Sequence, residues 1–205
     1  MIPASESESA LSTMNPLACA GFVVAAFLFS GAAHVLWLRS RLSLKCALPL
    51  DFGLSVQGKR IFGDHKMLRG FVVIVPATGA SFGLLSAFAR EYLPSAAAQV
   101  WSLSPWHYAV LGCWAGFGFM AGELPNSFIK RRLSIPPGGA ASGTMLRTSL
   151  FLADHLDSIV GMLLALNVIV TVPLVTWLAV IVVGIAIHCG FSALLFVCGV
   201  KERIL

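Results

Sequence analysis

The chain has 205 residues, 58% of them hydrophobic and only 11% charged, with a formal net charge of +5. A soluble domain carries about 25% charged residues, so this composition excludes a cytosolic enzyme, a disordered chain and a nucleic-acid binder, and it points to an integral membrane protein. The surplus of bases then calls for a membrane explanation rather than a nucleic-acid one.

Residues 1–15 are rich in Ser, Ala and Glu and are expected to be disordered. A spanning helix needs about 20 mostly apolar residues, and 16–38 is the first run of that length free of acids and bases. Ser30-Gly31-Ala32-Ala33 would suit a cleaved signal peptide, but no basic segment precedes the run and it is too long, so a retained first span is predicted. The second span is 70–89. The third, 105–122, opens on Trp106, His107 and Tyr108, amphipathic aromatics of the kind found where a helix meets the interface, and closes at Glu123. The stretch 158–200 contains no Lys, Arg, Asp or Glu and is about twice the length of one crossing. It must fold back, and Thr171-Val172-Pro173 is the predicted turn because proline lacks an amide donor. The last two spans are therefore placed at about 156–171 and 174–198. The fold class read from this pattern is an all-α integral membrane protein with five transmembrane helices in a single domain over 16–205.

Seven bases lie in 39–69 (Arg39, Arg41, Lys45, Lys59, Arg60, Lys66, Arg69), four in 124–154 (Lys130, Arg131, Arg132, Arg147), and Lys201 and Arg203 in the tail. With five spans all three segments share one face, which the positive-inside rule makes cytoplasmic. The N-terminus is then outside, the C-terminus cytoplasmic, and the protein resides in the inner (cytoplasmic) membrane as a multi-pass chain with two long cytoplasmic loops, 39–69 and 123–155. The five cysteines are odd in number and scattered, with no paired metal spacing, and read as small apolar packing residues.

Loops of about 30 residues are too long to be mere connections, so function is expected there. In the first, apolar residues at 48, 50, 52, 54 and 56 alternate with period two and Gln57-Gly58 suits a tight turn, which predicts an extended ribbon. Bases, glycines and two acids crowd between Asp51 and Arg69. Glycine lets backbone amides approach a phosphate, Arg forks onto its oxygens and Lys supplies a point charge. Composition alone leaves two readings open, a phosphate-binding loop and a polybasic stretch held against anionic headgroups. In the second loop Pro125 is placed in the first turn of a short interfacial helix carrying Phe128, Ile129 and Leu133, broken by Pro136-Pro137-Gly138-Gly139, after which small residues through Gly143 could form a mobile flap.

Asp154 and Asp157 lie three apart at the predicted start of the fourth span, where carboxylates complement a helix dipole and where ionisable groups are functional candidates. With Glu123 they could supply oxygens for Mg²⁺, which favours a few carboxylates together with substrate phosphates. Among the histidines, His34 and His188 fall within spans, where packing or an interhelical hydrogen bond is the commoner role. His65 and His155 sit beside the charged clusters and could bind phosphate or move a proton.

Taken together, Asp64-His65-Lys66-Met67-Leu68-Arg69-Gly70, Ser127-Phe128-Ile129-Lys130-Arg131-Arg132, Pro137-Gly138 and Asp154-His155-Leu156-Asp157-Ser158-Ile159-Val160-Gly161 resemble the CDP-archaeol synthase family, which is related to the CDP-diacylglycerol synthases. The resemblance implies a Mg²⁺-dependent cytidylyltransferase of five spans with its active site on the cytoplasmic face. There, a lipid phosphate would attack CTP, yielding a CDP-lipid and pyrophosphate. Motif for motif, it makes Asp154, Asp157 and Glu123 metal candidates, with Asp154, Asp157, Lys130 and Arg69 expected at the reacting groups. It places Lys59, Arg60, Lys66, Arg131 and Arg132 at basic positions suited to phosphates, and Asp64 in a Gly-Asp-x-Lys element. The chain departs from the family pattern at Met67-Leu68 in place of Thr-Trp, Glu123 in place of Asp and His155 in place of Gln. The expected partners are CTP, a lipid phosphate and the membrane, with no nucleic acid; a homo-oligomer is compatible with the sequence. The chemistry agrees: a phosphate monoester is already a nucleophile, so metal and a Lys/Arg clamp suffice to hold two anions together. The competing reading is a small transporter or anion-binding membrane protein, although its charges would be expected inside the spans.

Overall fold

The computed structural model describes residues 14–45, 47–136, 139 and 143–197. Residues 1–13 of the segment 1–15 expected to be disordered, the Pro137-Gly138 break with most of the flap, and the basic tail with Lys201 and Arg203 lie outside the described residues. In chain order the elements are α1 (Pro16–Leu38), α2 (Arg41–Lys45), β1 (Ser55–Val56), β2 (Lys59–Arg60), α3 (Leu68–Tyr92), α4 (Pro94–Ala97), α5 (Pro105–Arg132), α6 (Thr144–Ile169) and α7 (Leu174–Val197).

Helix α1 begins where the sequence placed it. The Asn15 side chain accepts from the amides of Leu17 and Ala18 at 2.9 and 3.4 Å, and Pro16 occupies the first turn, where its missing N–H costs nothing. The α6–α7 turn also falls at the predicted place, with Val170 capping α6 and Leu174 opening α7. It is tied down by Trp101, whose indole donates to the Thr171 carbonyl at 2.9 Å.

Three local expectations are corrected. The ribbon shrinks to a two-residue hairpin pairing Ser55 with Arg60 and Val56 with Lys59. Its turn is Gln57-Gly58 as predicted, both at positive φ, the geometry that matches strand twist in a two-residue loop. Upstream, the alternation is broken because the Asp51 carboxylate draws local amides onto itself and turns the chain at Phe52 and Gly53. Secondly, Pro125 starts no separate helix; α5 runs unbroken from Pro105 to Arg132 with Pro125 inside it. Thirdly, α6 begins at Thr144, so Asp154 and Asp157 are interior to a helix and helix-start dipole complementation does not account for them. The α6 segments Thr144–Asp154 and Leu156–Ile169 meet at a bend of 42°.

Two close helix contacts organise the bundle. On α5, Gly112 and Gly116 lie against Thr78 and Ile74 of α3, while Gly118 and Gly122 lie against Gly161 and Asp157 of α6. A Cβ at Gly112 would come within 2.6 Å of the Thr78 carbonyl oxygen, and one at Gly118 within 2.6 Å of the Gly161 carbonyl oxygen. These are small-xxx-small seams, which let backbones touch where lipid gives no hydrophobic drive to pack helices. Tyr108, Phe82, Leu111, Leu163 and Leu166 fill the buried centre between the helices.

Among the described residues, α1 and α3 are each long and apolar enough to cross a membrane, and α6 makes a third if its bent parts form one span. Helix α7 contributes a shorter apolar stretch, Leu174–Ile187. Helix α5 does not reach the same hydropathy because, packed between α3 and α6, it is built of glycines and aromatics rather than lipid-facing aliphatics.

Candidate active site

On α5, Glu123, Asn126 and Lys130 recur at helical spacing and share one face. On α6, Asp154, Asp157 and Ser158 do the same. The Gly118/Gly122 seam with Gly161 presses these faces together, so residues from well-separated stretches of chain meet. The Asn126 amide nitrogen donates to Asp154 Oδ1 at 2.7 Å and to Asp157 Oδ2 at 3.1 Å, bridging the two carboxylates. Lys130 Nζ lies 2.5 Å from both oxygens of Asp154. Asp157 Oδ1 accepts from the Ser158 amide at 2.7 Å, and the buried Ser158 hydroxyl donates to Glu123 Oε1 at 2.8 Å. The other Glu123 oxygen is ion-paired with Lys66.

Glu123 and Lys66 also line a cavity of about 330 Å³. Its body is apolar, walled by Phe27 of α1, Ile74 of α3, Phe119 of α5, Met162 of α6 and Val180 of α7. Its loop-side end is polar, formed by His65, Lys66 and Arg69 with Glu123. The apolar chamber has a cationic end, and Glu123, which lines it, is also hydrogen-bonded to Ser158 of the carboxylate–amide cluster.

The remaining predicted residues gather around the hairpin. Asp51, its side chain fully buried, accepts from the amides of Gly53, Phe62 and Gly63 at 3.1 to 3.2 Å and is ion-paired with Arg60. The Arg60 guanidinium holds the Asp51 carboxyl far below the usual carboxylate range. Arg60 also reaches Asp64 at 2.7 Å, so its charge is spent on two acids of its own loop. Arg132 donates to the carbonyls of Val56, Lys59 and Arg60 at 2.5, 3.0 and 2.7 Å and stacks over Phe128, clasping the hairpin to the end of α5. Lys59 returns the contact, donating to the Arg132 carbonyl at 2.9 Å and to the Ser134 hydroxyl at 2.6 Å. Arg132 keeps only its Nε buried and unpaired, whereas Arg131 has both its Nε and one terminal nitrogen buried with no hydrogen-bond partner among the described residues, and burial pushes its pKa down, with only Asp64 opposing. With Lys59, Arg60 and Asp64 it lines a second hollow of about 240 Å³.

The predicted residues therefore divide. Lys66, Arg69 and Glu123 meet at the cavity rim; Lys130, Asp154 and Asp157 meet in the helix cluster; Lys59, Arg60, Asp64, Arg131 and Arg132 form the hairpin base. Among the described residues no three His, Cys, Asp or Glu side chains converge as a metal-holding group. Glu123 is engaged by Lys66 and by Ser158, whose hydroxyl also reaches Asp157 Oδ1 at 3.3 Å. Asp154, whose side chain is 46% exposed, and Asp157, joined to it by one amide, nevertheless make a hard oxygen pair, and Mg²⁺ takes one or two carboxylates plus substrate oxygens. The donor chemistry fits. Sequence reading missed Asn126 and Ser158. For Asn126 a cue existed: it stands three residues after Glu123 and four before Lys130, on the face both share.

A family model described as CarS-like, CDP-archaeol synthase, matches residues 38–204. The chain is 34% identical over 121 residues to a CDP-archaeol synthase of Methanospirillum hungatei, covering 57% of this chain and 61% of that one. For the protein of the same name from Thermofilum pendens the identity is 30%, covering 75% and 64%. The aligned stretches thus span less than two thirds of these two relatives. For the Pyrobaculum aerophilum protein the identity is 31%, covering 78% and 84%. The fold is similar to the solved structure of an intramembrane enzyme for archaeal membrane lipids biosynthesis, at a TM-score of 0.57 and 23% identity, covering 84% of this chain and 91% of that one. That likeness bears on fold alone. A family match over most of the chain shows that the chain belongs to the CarS-like CDP-archaeol synthase family.

Proposed function

We propose that the protein is a CTP-dependent cytidylyltransferase that activates a membrane lipid phosphate, either an ether-lipid phosphate or phosphatidate, to a CDP-lipid with release of pyrophosphate. The observation that carries this reading is that Glu123, beside Lys66 and Arg69 at the polar end of an apolar cavity, is tied through Ser158 to the carboxylate–amide–lysine cluster. A lipid tail needs the first environment and a nucleoside triphosphate the second. Family membership supports the reaction class.

In this mechanism Lys66 and Arg69 hold the lipid phosphate at the cavity rim, and Lys66 exchanges its Glu123 partner for a phosphate oxygen. That phosphate needs no activating base. One of its oxygens bonds to the α-phosphorus of CTP as the bond from that phosphorus to the bridging oxygen breaks, and pyrophosphate departs with the electron pair. Lys130 and the hairpin bases, Arg131 above all, face the nucleotide phosphates. Asp154 and Asp157 would hold Mg²⁺, which when bound supplies charge neutralisation on the leaving group. Asn126 keeps the two carboxylates together, and Glu123 with Ser158 orients Asp157. The topology that goes with this is five spans on α1, α3, α5, α6 and α7, with the hairpin and the Asp154/Asp157 cluster on the cytoplasmic face of the inner membrane.

The test is pyrophosphate release from CTP and Mg²⁺ by the detergent-solubilised protein, with ether-lipid phosphate and phosphatidate side by side. The Asp154→Ala, Asp157→Ala double variant is the blank. A CDP-lipid product establishes the reaction, and the better acceptor identifies the lipid. A folded sample inactive with both lipids would overturn the proposal in favour of a binding or transport role.

A further inference from the structure

His34 lies on α1 one turn before its end at Leu38 and lines the same cavity. Along this stripe of α1 the deeper lining residues, Val23, Val24 and Phe27, are apolar. Ser30 is polar, but its hydroxyl is paired with Thr78 at 2.7 Å and is occupied within the protein. His34 is the next polar group toward the rim, and the charges of Glu123 and Arg69 both act on its ring. Its ring is half-buried, and among the described residues no hydrogen bond holds its nitrogens, which leaves them available to whatever fills the cavity.

A lipid phosphate enters such a chamber with three layers: hydrocarbon tails, a short neck of neutral oxygens, and a charged phosphate. The cavity offers a counterpart to each part, the Phe27–Ile74–Phe119 walls, the His34 ring among apolar neighbours, and the charged Lys66 and Arg69. We propose that His34 is an acceptor-binding residue whose ring N–H donates to an oxygen of the phosphoglycerol neck, setting the depth at which the phosphate meets Lys66 and Arg69. This rests on the lipid-phosphate reading of the site, and it assigns a residue to the acceptor and not to the nucleotide.

The test compares wild type with His34→Ala and His34→Gln. It measures binding of phosphatidate and of an ether-lipid phosphate by native mass spectrometry in detergent, and KM for lipid and for CTP. Thermal melting confirms that each variant is folded. Loss of one hydrogen bond predicts lipid binding weakened about tenfold in His34→Ala, with KM for the lipid raised to match and KM for CTP unchanged. His34→Gln, which keeps an N–H donor, recovers most of the binding. Wild-type lipid binding in His34→Ala, an equal rise in both KM values, a glutamine variant as weak as alanine, or no lipid-phosphate binding by the wild type would each overturn the assignment. If the wild type binds lipid phosphate through His34 yet releases no pyrophosphate from CTP, the catalytic reading fails and the His34 assignment stands.

Discussion

Two clusters of charge stand close to one another, and they spend that charge differently. In the α5–α6 cluster acids outnumber bases: Glu123, Asp154 and Asp157 against Lys66 and Lys130. The acids are held by neutral donors, Asn126 and Ser158, as much as by cations. In the hairpin base the bases outnumber the acids: Lys59, Arg60, Arg131 and Arg132 against Asp51 and Asp64. Most of those cations are consumed in holding the loop, Arg132 on backbone carbonyls, Arg60 on two acids and Lys59 on α5. The first arrangement leaves acidic oxygens in excess, the second leaves two Arg131 nitrogens unpaired among the described residues. Residue type does not distinguish them; what each side chain is already bound to does.

The largest effect that would sharpen this contrast is expected in the helix cluster. The Asp154→Ala, Asp157→Ala double variant should lose turnover by at least about 10³-fold while remaining folded, read as pyrophosphate release beside a melting curve. Activity within tenfold of wild type would remove the cluster from catalysis. Next, Gly122→Leu should push α6 away, since any side chain there meets the Asp157 carbonyl. Overpacking of this kind costs about 1–3 kcal/mol, so a lowered melting temperature accompanied by lost activity is expected. Asn126→Ala leaves both carboxylates without their shared donor. Outer-shell partners of this sort are worth about 10- to 100-fold, so activity should fall by that factor with the Mg²⁺ requirement shifted to higher concentration. An unchanged Mg²⁺ dependence would make Asn126 a packing residue.

The hairpin base should respond in stability and pH behaviour rather than in chemistry. The native pKa of Asp51 is lowered. A carboxylate of that kind contributes its full stability above its ordinary value of about 4 and loses it progressively as the pH falls from there through the lower native value. Hydrogen exchange over 51–63 should therefore stay protected down to about pH 4 and open in stronger acid. In Asp51→Asn the same segment should be open already at neutral pH. Smallest of all, Lys59→Ala removes a surface contact to the Arg132 carbonyl and Ser134 and should change stability by no more than about 0.5 kcal/mol. A Lys59→Ala effect as large as that of Asn126→Ala would erase the distinction between the two clusters.

The parts of this molecule that were legible in the sequence are those decided by near neighbours. Low charge and long apolar runs place the chain in a membrane. Asn15-Pro16 starts α1, Gln57-Gly58 turns the hairpin and Pro173 opens α7, each through backbone constraints within a few residues. The tertiary structure decided the rest. Pro125 and the long second loop looked like breaks, yet α5 continues to Arg132 and α6 starts at Thr144, because packing along glycine seams outweighs a local helix-breaking preference. Asn126 reaches Asp154 and Asp157 across 28 and 31 residues of chain, and Ser158 reaches Glu123 across 35. No local periodicity carries such pairings. They exist because Gly118, Gly122 and Gly161 have no side chains to hold the two helices apart.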